Sequence, residues 1–193
     1  MSWKANLKKM IPTPVLNRVL LSFPFLYRTR LVAYESNLIP LDGVEELRKH
    51  LGAVAHLDGA IIECGCSRCG GTVLMANYLK ENGIQKTIYA YDSFEGFDLT
   101  ELQREREAGW TTSPDTAFTS TSYEYVLEKI RKLGVDDTIK VVKGYFQDTL
   151  PQLEATICFA LIDTDLKDSL VFCAETIWPH LVNGGLIIFD DYT

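Results

Sequence analysis

Residues 59–79, GAIIECGCSRCGGTVLMANYL, decide how the rest of the chain is read. Ala60–Cys64 is a short apolar run of strand length, the glycine-bearing stretch after it reads as a turn, and a helix begins near Gly71 or Thr72. Strand, glycine-rich turn and helix N-terminus together bring backbone N–H groups and the positive end of a helix dipole to one place, an arrangement that cradles nucleotide-type ligands. Glu63 stands at the strand end, and Gly65, Gly70 and Gly71 let the backbone pass close to a ligand. The spacing is not the G-x-G-x-x-G dinucleotide fingerprint, because Ser67 takes the place of the second glycine. A plain strand–turn–helix of an α/β domain is the bland alternative.

Working outward, apolar strand-length runs alternate with helical patterns. Strands are expected at 87–91, leading into Asp92, and at 138–143, 156–162 and 185–189. Helices are expected at about 42–57, 72–82 and Tyr123–Leu133, the last closed by Gly134, and from Lys167 to a point before Pro179. The first of these has Asp42 and Glu45 in capping-box spacing and an apolar stripe of Val44, Leu47, Leu51 and Val54. The pattern predicts an α/β fold, a doubly wound and mostly parallel sheet. Residues 1–42 read as a helical N-terminal appendage broken by Pro12, Pro14, Pro24 and Pro40, and residues 43–193 as the core. Phe97 to Thr121 is polar and irregular, and is expected to be a lid-like or disordered insertion.

The chain has 193 residues, 47% of them hydrophobic and 23% charged, which suits one soluble domain with a real core. A net charge of −7 argues against a general nucleic-acid binder. Residues 1–34 hold six basic residues and no acid, leaving −13 for the remainder. Such a basic leader either packs on its own domain, the favoured reading, or makes weak peripheral contact with a membrane. No stretch has the apolar length of a membrane span, and no cleavage site follows 15–34 to make it a signal peptide. The five cysteines, an odd count without such a signal, read as free thiols in a cytoplasmic protein. Cys64, Cys66 and Cys69 lack the paired spacing of zinc ribbons and that of iron–sulfur motifs.

Carboxylates mark the strand ends. Asp92 follows the second strand, where a carboxylate accepts both hydroxyls of a ribose. The turn Gly144-Tyr145-Phe146-Gln147-Asp148 should flank a base, with an amide to pair with its edge and aromatics to stack on it. Asp163 and Asp165 follow the fourth strand, and Asp190 and Asp191 the fifth. Neighbouring strands lie about 4.8 Å apart, so acids converging there repel one another unless a cation offsets them. Hard oxygen donors suit Mg²⁺ or Ca²⁺; solvent-facing strand ends are the alternative. No nucleophile elbow is present, so hydrolase chemistry is unsupported.

Five motifs, ECGCSRCGG (63–71), YDSFEGF (91–97), GYFQDTLP (144–151), LIDTDLKDS (161–169) and NGGLIIFDDY (183–192), occur in order. Together they resemble the macrocin O-methyltransferase (TylF-type) family of S-adenosylmethionine (SAM)-dependent enzymes, over roughly residues 43–193. The resemblance implies a Rossmann-like methyltransferase core and a SAM site built from Glu63, Gly65, Gly70, Asp92 and Gln147, with Cys66, Ser93 and Asp163 beside them. It implies Mg²⁺ held by Asp163, Asp190 and Asp191, and a hydroxyl acceptor on a sugar, a glycan or a secondary metabolite. Cys69 departs from the family's usual glycine, and Lys167 from its common aromatic. The family's sheet continues beyond the DDY motif, so the C-terminal strands are expected to be missing and the chain to resemble a member cut short, with homo-oligomerisation expected.

The chemistry implied is methyl transfer to a hydroxyl oxygen, with Mg²⁺ lowering the hydroxyl pKa and Asp163, Asp165 or Lys167 taking the proton. The rivals are a non-catalytic SAM-binding or scaffolding remnant, and a nucleotide-sugar oxidoreductase, against which the missing dinucleotide fingerprint argues.

Overall fold

The computed structural model describes residues 13–23 and 41–190. Within them the chain runs α1 (Thr13–Ser22), α2 (Leu41–Val54), β1 (Ala60–Cys64), α3 (Gly70–Glu81), β2 (Ile88–Asp92), α4 (Leu99–Glu107), α5 (Tyr123–Leu133) and β3 (Ile139–Lys143). It continues through α6 (Phe146–Thr149), β4 (Ile157–Ile162), α7 (Lys167–Ile177) and β5 (Leu181–Phe189). Short 3-10 turns, Leu150–Gln152 and Trp178–His180, follow α6 and α7.

The strands form one sheet in the order β3-β2-β1-β4-β5, every pair parallel. The two central strands, β1 and β4, are buried along their whole length, as expected of parallel strands covered on both faces. Alternation of side chains divides the core. Ile61 faces a layer holding Leu51 of α2, Leu74 and Met75 of α3, and Val126 and Ile130 of α5. Ala60, Ile62 and Cys64 face the opposite layer, with Leu150, Ile162, and Cys173 and Ile177 of α7. The chain steps outward from β1 to β3 and then returns to lay β4 on the other side of β1. That reversal opens a crevice beyond the C-terminal ends of β1 and β4, where ligands of doubly wound sheets bind.

Local signals explain most boundaries. α5 spans the expected residues because the Ser122 hydroxyl accepts the Tyr125 N–H at 3.2 Å and Gly134 takes the left-handed conformation (φ 67°) that ends the helix. α2 stops three residues short of the expected Leu57.

Two expectations are corrected. The stretch 97–121 is not irregular throughout. It contains α4, capped by the Asp98 carboxylate, which accepts the Glu101 N–H at 2.9 Å, and Arg106 ties its far end to Asp115 (2.7 Å) and to the Ser113 carbonyl. The fifth strand begins at Leu181, not Gly185. Asn183, Gly184 and Gly185 form a bulge within it, where the register against β4 jumps from Ile157↔Leu181 to Phe159↔Leu186.

α1 packs on α5: Leu20 is buried, and Lys132 Nζ donates to the Leu21 carbonyl at 2.5 Å. The rest of the expected appendage, with most of its basic residues, lies outside the described residues, as does Asp191. Among the described residues no helix is long and apolar enough to cross a membrane.

Candidate functional site

At the crevice the strand ends are joined by backbone hydrogen bonds that prolong the sheet. Asp163 N–H donates to the Cys64 carbonyl (2.9 Å), Gly65 and Cys66 N–H to the Tyr91 carbonyl (2.9 and 3.2 Å), and Gly144 N–H to the Asp92 carbonyl (2.9 Å). Gly65 is where this joining demands glycine. Its φ is +88°, and a Cβ there would stand 1.6 Å from the Asp163 carbonyl oxygen.

Asp92 ties the loop after β1 to the turn after β2. One carboxylate oxygen accepts the Ser67 N–H at 2.8 Å and the other the Phe94 N–H at 2.7 Å. Burial pushes its pKa up, and the two backbone donors oppose the rise. Each oxygen keeps a lone pair for a further donor. Ser93 is engaged in the same turn, donating to the Gly96 carbonyl at 2.6 Å. Three residues here hold left-handed backbone without being glycine: Ser67 (φ 44°), Cys69 (φ 55°) and Phe94 (φ 55°). Such conformations cost of order 1–3 kcal/mol each and cluster at ligand clamps.

The loop after β4 is strained as well. Leu166 N–H reaches back to the Thr164 carbonyl at 2.6 Å around Asp165, whose φ is 57°, a tight three-residue turn with Asp165 exposed at its centre. Behind this loop, α4 caps α7 with two buried carboxylates. Glu105 accepts the N–H groups of Lys167 (2.6 Å) and Asp168 (3.3 Å), and Glu101 accepts the N–H and hydroxyl of Ser169 (2.6 and 2.7 Å). Burial, ahead of the neighbouring Asp168 and Glu105, pushes the Glu101 pKa up, and the Ser169 donors oppose it.

These elements border a cleft of about 650 Å³, part of it open to solvent. Its wall includes Gly65, Ser67, Asp92 and Ser93, the aromatic residues Tyr145 and Phe146, and Asp163 to Leu166. A second hollow lies across the Asp163–Leu166 loop, bounded by Glu105, Trp110, Lys167 and Leu170. There the Lys167 ammonium sits 4.0 Å from the centre of the Trp110 ring.

Of the residues picked from sequence, Gly65, Asp92, Ser93, Asp163 and Asp165 thus meet on the cleft wall, and Lys167 on the second hollow. Glu63, Cys66 and Gly70 lie behind the wall. Glu63 is buried under α3 and accepts the Thr72 hydroxyl, and Gly71 leaves room for it, since a Cβ there would fall 2.5 Å from Glu63 Oε1. Burial, then Cys69, pushes the Glu63 pKa well above the carboxylate range. Gln147 is exposed on α6, outside the wall. Asp190 is exposed and extends β5 by donating its N–H to the Ile162 carbonyl at 3.1 Å. Among the described residues no three His, Cys, Asp or Glu side chains are grouped for a metal ion; Asp191 lies outside them.

Sequence reasoning did not single out Phe97, Glu101, Phe118 and Ser169, which also line the cleft. One available signal was Asp98-x-x-Glu101, a helix start of capping-box type.

The sequence profile of the macrocin-O-methyltransferase (TylF) family matches residues 40–193. The chain belongs to that family. It is 28% identical over 142 residues to a Streptomyces olivaceus 8-demethyl-8-(2,3-dimethoxy-alpha-L-rhamnosyl)-tetracenomycin-C 4'-O-methyltransferase, covering 69% of this chain and 53% of the relative. It is 26% identical over 161 residues to a Streptomyces niveus demethyldecarbamoylnovobiocin O-methyltransferase, covering 80% and 62%. The chain therefore spans between half and two thirds of these relatives' lengths. Among solved structures, the O-methyltransferase NovP superposes with a TM-score of 0.65 at 24% identity, over 77% of this chain and 64% of that one. The calicheamicin methyltransferase CalS11 gives 0.62 at 18%, over 92% and 76%. Both share the fold, the Rossmann-like methyltransferase sheet.

Proposed function

We propose that this chain carries the SAM site and part of the acceptor site of an O-methyltransferase acting on a hydroxyl of a sugar or other secondary metabolite. One observation carries the reading: Gly65, Asp92 and Asp163 converge on a single cleft at the switch point of a parallel sheet, in a member of the macrocin-O-methyltransferase family. The relatives' names, each an O-methyltransferase and one acting at a rhamnosyl group, support a sugar-bearing acceptor.

The residues present fit SAM. Gly65 lets the ends of β1 and β4 close up at the cleft, since the Asp163 carbonyl oxygen already fills the place of a Cβ. Asp92 presents free lone pairs for a ribose diol, and Tyr145 and Phe146 offer aromatic surface for an adenine. SAM supplies an electrophilic methyl group on a sulfonium. In this reading Asp92 fixes the nucleoside, and the hydrogen bonds it accepts from the Ser67 and Phe94 N–H groups hold it ready. The second hollow takes the acceptor, with Trp110 offering a flat apolar face to a sugar ring and Lys167 acting as a cation over the indole rather than as a base. Asp165, which borders both hollows, takes the hydroxyl proton.

Mg²⁺ is part of the proposal. Asp163 and Asp190 end adjacent strands and offer hard oxygen donors, and Asp191 would join them. The ion would supply Lewis acidity that lowers the acceptor hydroxyl's pKa.

Equilibrium binding of SAM and of NAD, measured side by side, tests the core of this reading. SAM binding is expected and NAD binding is not; a preference for NAD would overturn it.

A further inference from the structure

Methyl transfer makes no use of one group of side chains, the thiols of the loop between β1 and α3. Cys66 and Cys69 are spaced C-x-x-C, and their thiols are near enough to perturb each other's ionisation. The Cys69 N–H donates to the Cys66 carbonyl at 2.6 Å, closing a tight turn. A turn of that kind keeps its end Cα atoms within about 7 Å, and disulfides span Cα separations of about 4.4–6.8 Å.

The intervening residues are pinned on three sides. Ser67 N–H is held by Asp92 (2.8 Å), the Arg68 carbonyl accepts from Lys129 Nζ (2.6 Å), and the Arg68 guanidinium donates to Asn17 (2.8 Å) while lying 4.6 Å from the centre of the Tyr125 ring. Cys69 occupies a left-handed position (φ 55°) at the start of α3. Glycine would be relaxed there and cysteine is strained, so packing alone does not favour a thiol at this position. The neighbouring Cys66 thiol, then Thr72 and the buried Lys129 ammonium, hold the Cys69 thiol below its usual range despite burial. A lowered thiol pKa raises the share of thiolate, the form that peroxide oxidises.

We propose that Cys66 and Cys69 are a reversible redox pair, closed by peroxide to a disulfide that reshapes the cofactor loop. Both thiols are buried, so the oxidant must be small. The Cys69 thiolate attacks one peroxide oxygen, the O–O bond breaks, and a sulfenic acid forms with release of water. The Cys66 sulfur then attacks the sulfenic sulfur, forming the S–S bond and expelling the second water. Two thiols lose two electrons, which reduce one peroxide, and a dithiol reductant reverses the change. A second thiol contact, Cys64 with Cys173, lies inside the core between β1 and α7. It lines neither of the two hollows described above, whereas Ser67 of the Cys66–Cys69 turn lines the first.

The loop's reshaping follows from bond length. Two separate thiols must close to an S–S bond of about 2.05 Å, which draws in the turn that carries the Ser67–Asp92 hydrogen bond. That second half rests on the SAM reading; the disulfide itself does not.

The test is hydrogen peroxide treatment of the purified chain, followed by a non-reducing tryptic digest. Trypsin cuts after Arg68, so a disulfide joins the peptide of residues 50–68 to that of 69–80. The expected product is this linked pair, lighter by about 2 Da than its separate members, with fragmentation placing the bond on Cys66, recovery by dithiothreitol, and none formed in Cys69→Ser. Linkage only of Cys64 to Cys173, or irreversible over-oxidation without linkage, would overturn the proposal. Oxidised protein should bind SAM at least about tenfold more weakly than reduced protein, since the hydrogen bond at stake is charge-assisted. Equal affinity in the two forms would overturn the loop effect. If the reduced protein failed to bind SAM at all, the functional reading would fall while the peptide map still judged the disulfide.

Discussion

Ser169 gives Glu101 both its backbone N–H, at 2.6 Å, and its hydroxyl, at 2.7 Å, across 68 residues of chain. With Glu105 on Lys167 and Asp168, this supplies the N-terminus of α7 with acceptors that its own sequence lacks, for Leu166 at the cap position makes no side-chain hydrogen bond. Two carboxylates at a helix N-terminus also meet the positive end of its dipole. The insertion is thereby fastened to the loop that separates the two hollows.

Replacing Glu101 with Ala leaves a buried N–H and hydroxyl without this acceptor. A loss of about 3 kcal/mol is expected, the scale for charge-assisted hydrogen bonds and orphaned buried donors. Ser169→Ala keeps the backbone bond and should cost about 1 kcal/mol. Chemical denaturation of the two single variants and the double variant checks this. Strict additivity would mean that the pair does not interact.

The strands and most helices were legible because their signals are periodic and local. α4 was not, and the reason is physical: its buried positions are Glu101, Leu102 and Glu105. Two of the three are acids whose partners lie in another helix, so no apolar stripe marks the face. The start of β5 was hidden by Asn183-Gly184-Gly185, which reads as a turn but is accommodated as a bulge. In the site, Gly65, Asp92 and Asp163 could be picked because a glycine or acid at a strand end stands out in an apolar run. Phe118 and Ser169 reach the same cleft only through tertiary packing. Glu63 stood out equally and lies behind the wall, since residue type does not tell on which side of a loop a strand-end acid will fall.

Gly65→Ala should unfold or severely destabilise the protein, by about 4 kcal/mol or more. The added Cβ meets backbone rather than a movable side chain, at 1.6 Å from the Asp163 oxygen, and at a φ of +88°. A thermal midpoint near that of wild type would show that the ends of β1 and β4 can separate.

Glu63 makes stability depend on pH. Its folded pKa is raised well above the carboxylate range, by burial first, so the folded state binds the proton more tightly than the unfolded chain. Stability contributed in this way is full at pH values below the unfolded pKa and falls as pH rises through the raised folded value. Glu63→Gln mimics the protonated form and keeps an acceptor for Thr72. Its thermal midpoint should equal or exceed wild type at neutral pH, and its decline with rising pH should be shallower. Glu101 and Asp92 shift in the same direction, so the difference between the two curves isolates Glu63. Parallel curves would show that Glu63 ionises normally.

Asp92→Ala should weaken SAM binding by about 1.5–3 kcal/mol, through lost charge-assisted hydrogen bonds. It also releases the Ser67 and Phe94 amides, so calorimetry belongs at a temperature where the variant remains folded. Unchanged affinity would remove Asp92 from the site.

The proposed metal site can be judged without any turnover. The register Ile162↔Phe189 makes Asp163 and Asp190 the next residues on adjacent parallel strands, which run about 4.8 Å apart. In the proposed site, carboxylates brought together from these neighbouring positions would repel, and Asp191 would add a third charge. A divalent cation that binds only the folded arrangement relieves the repulsion and stabilises by mass action, by about 2.7 kcal/mol at a hundredfold excess over its dissociation constant. Mg²⁺ should therefore raise the thermal midpoint of the wild-type chain. Asp190→Asn removes one charge at nearly constant size, so it should raise the midpoint in chelator and shrink the Mg²⁺ response. Because Mg²⁺ in this reading serves the acceptor, chelation should leave SAM affinity nearly unchanged. If Mg²⁺ moves neither protein's midpoint, Asp163 and Asp190 are strand ends facing solvent, and proton removal must be explained by Asp165 without a metal.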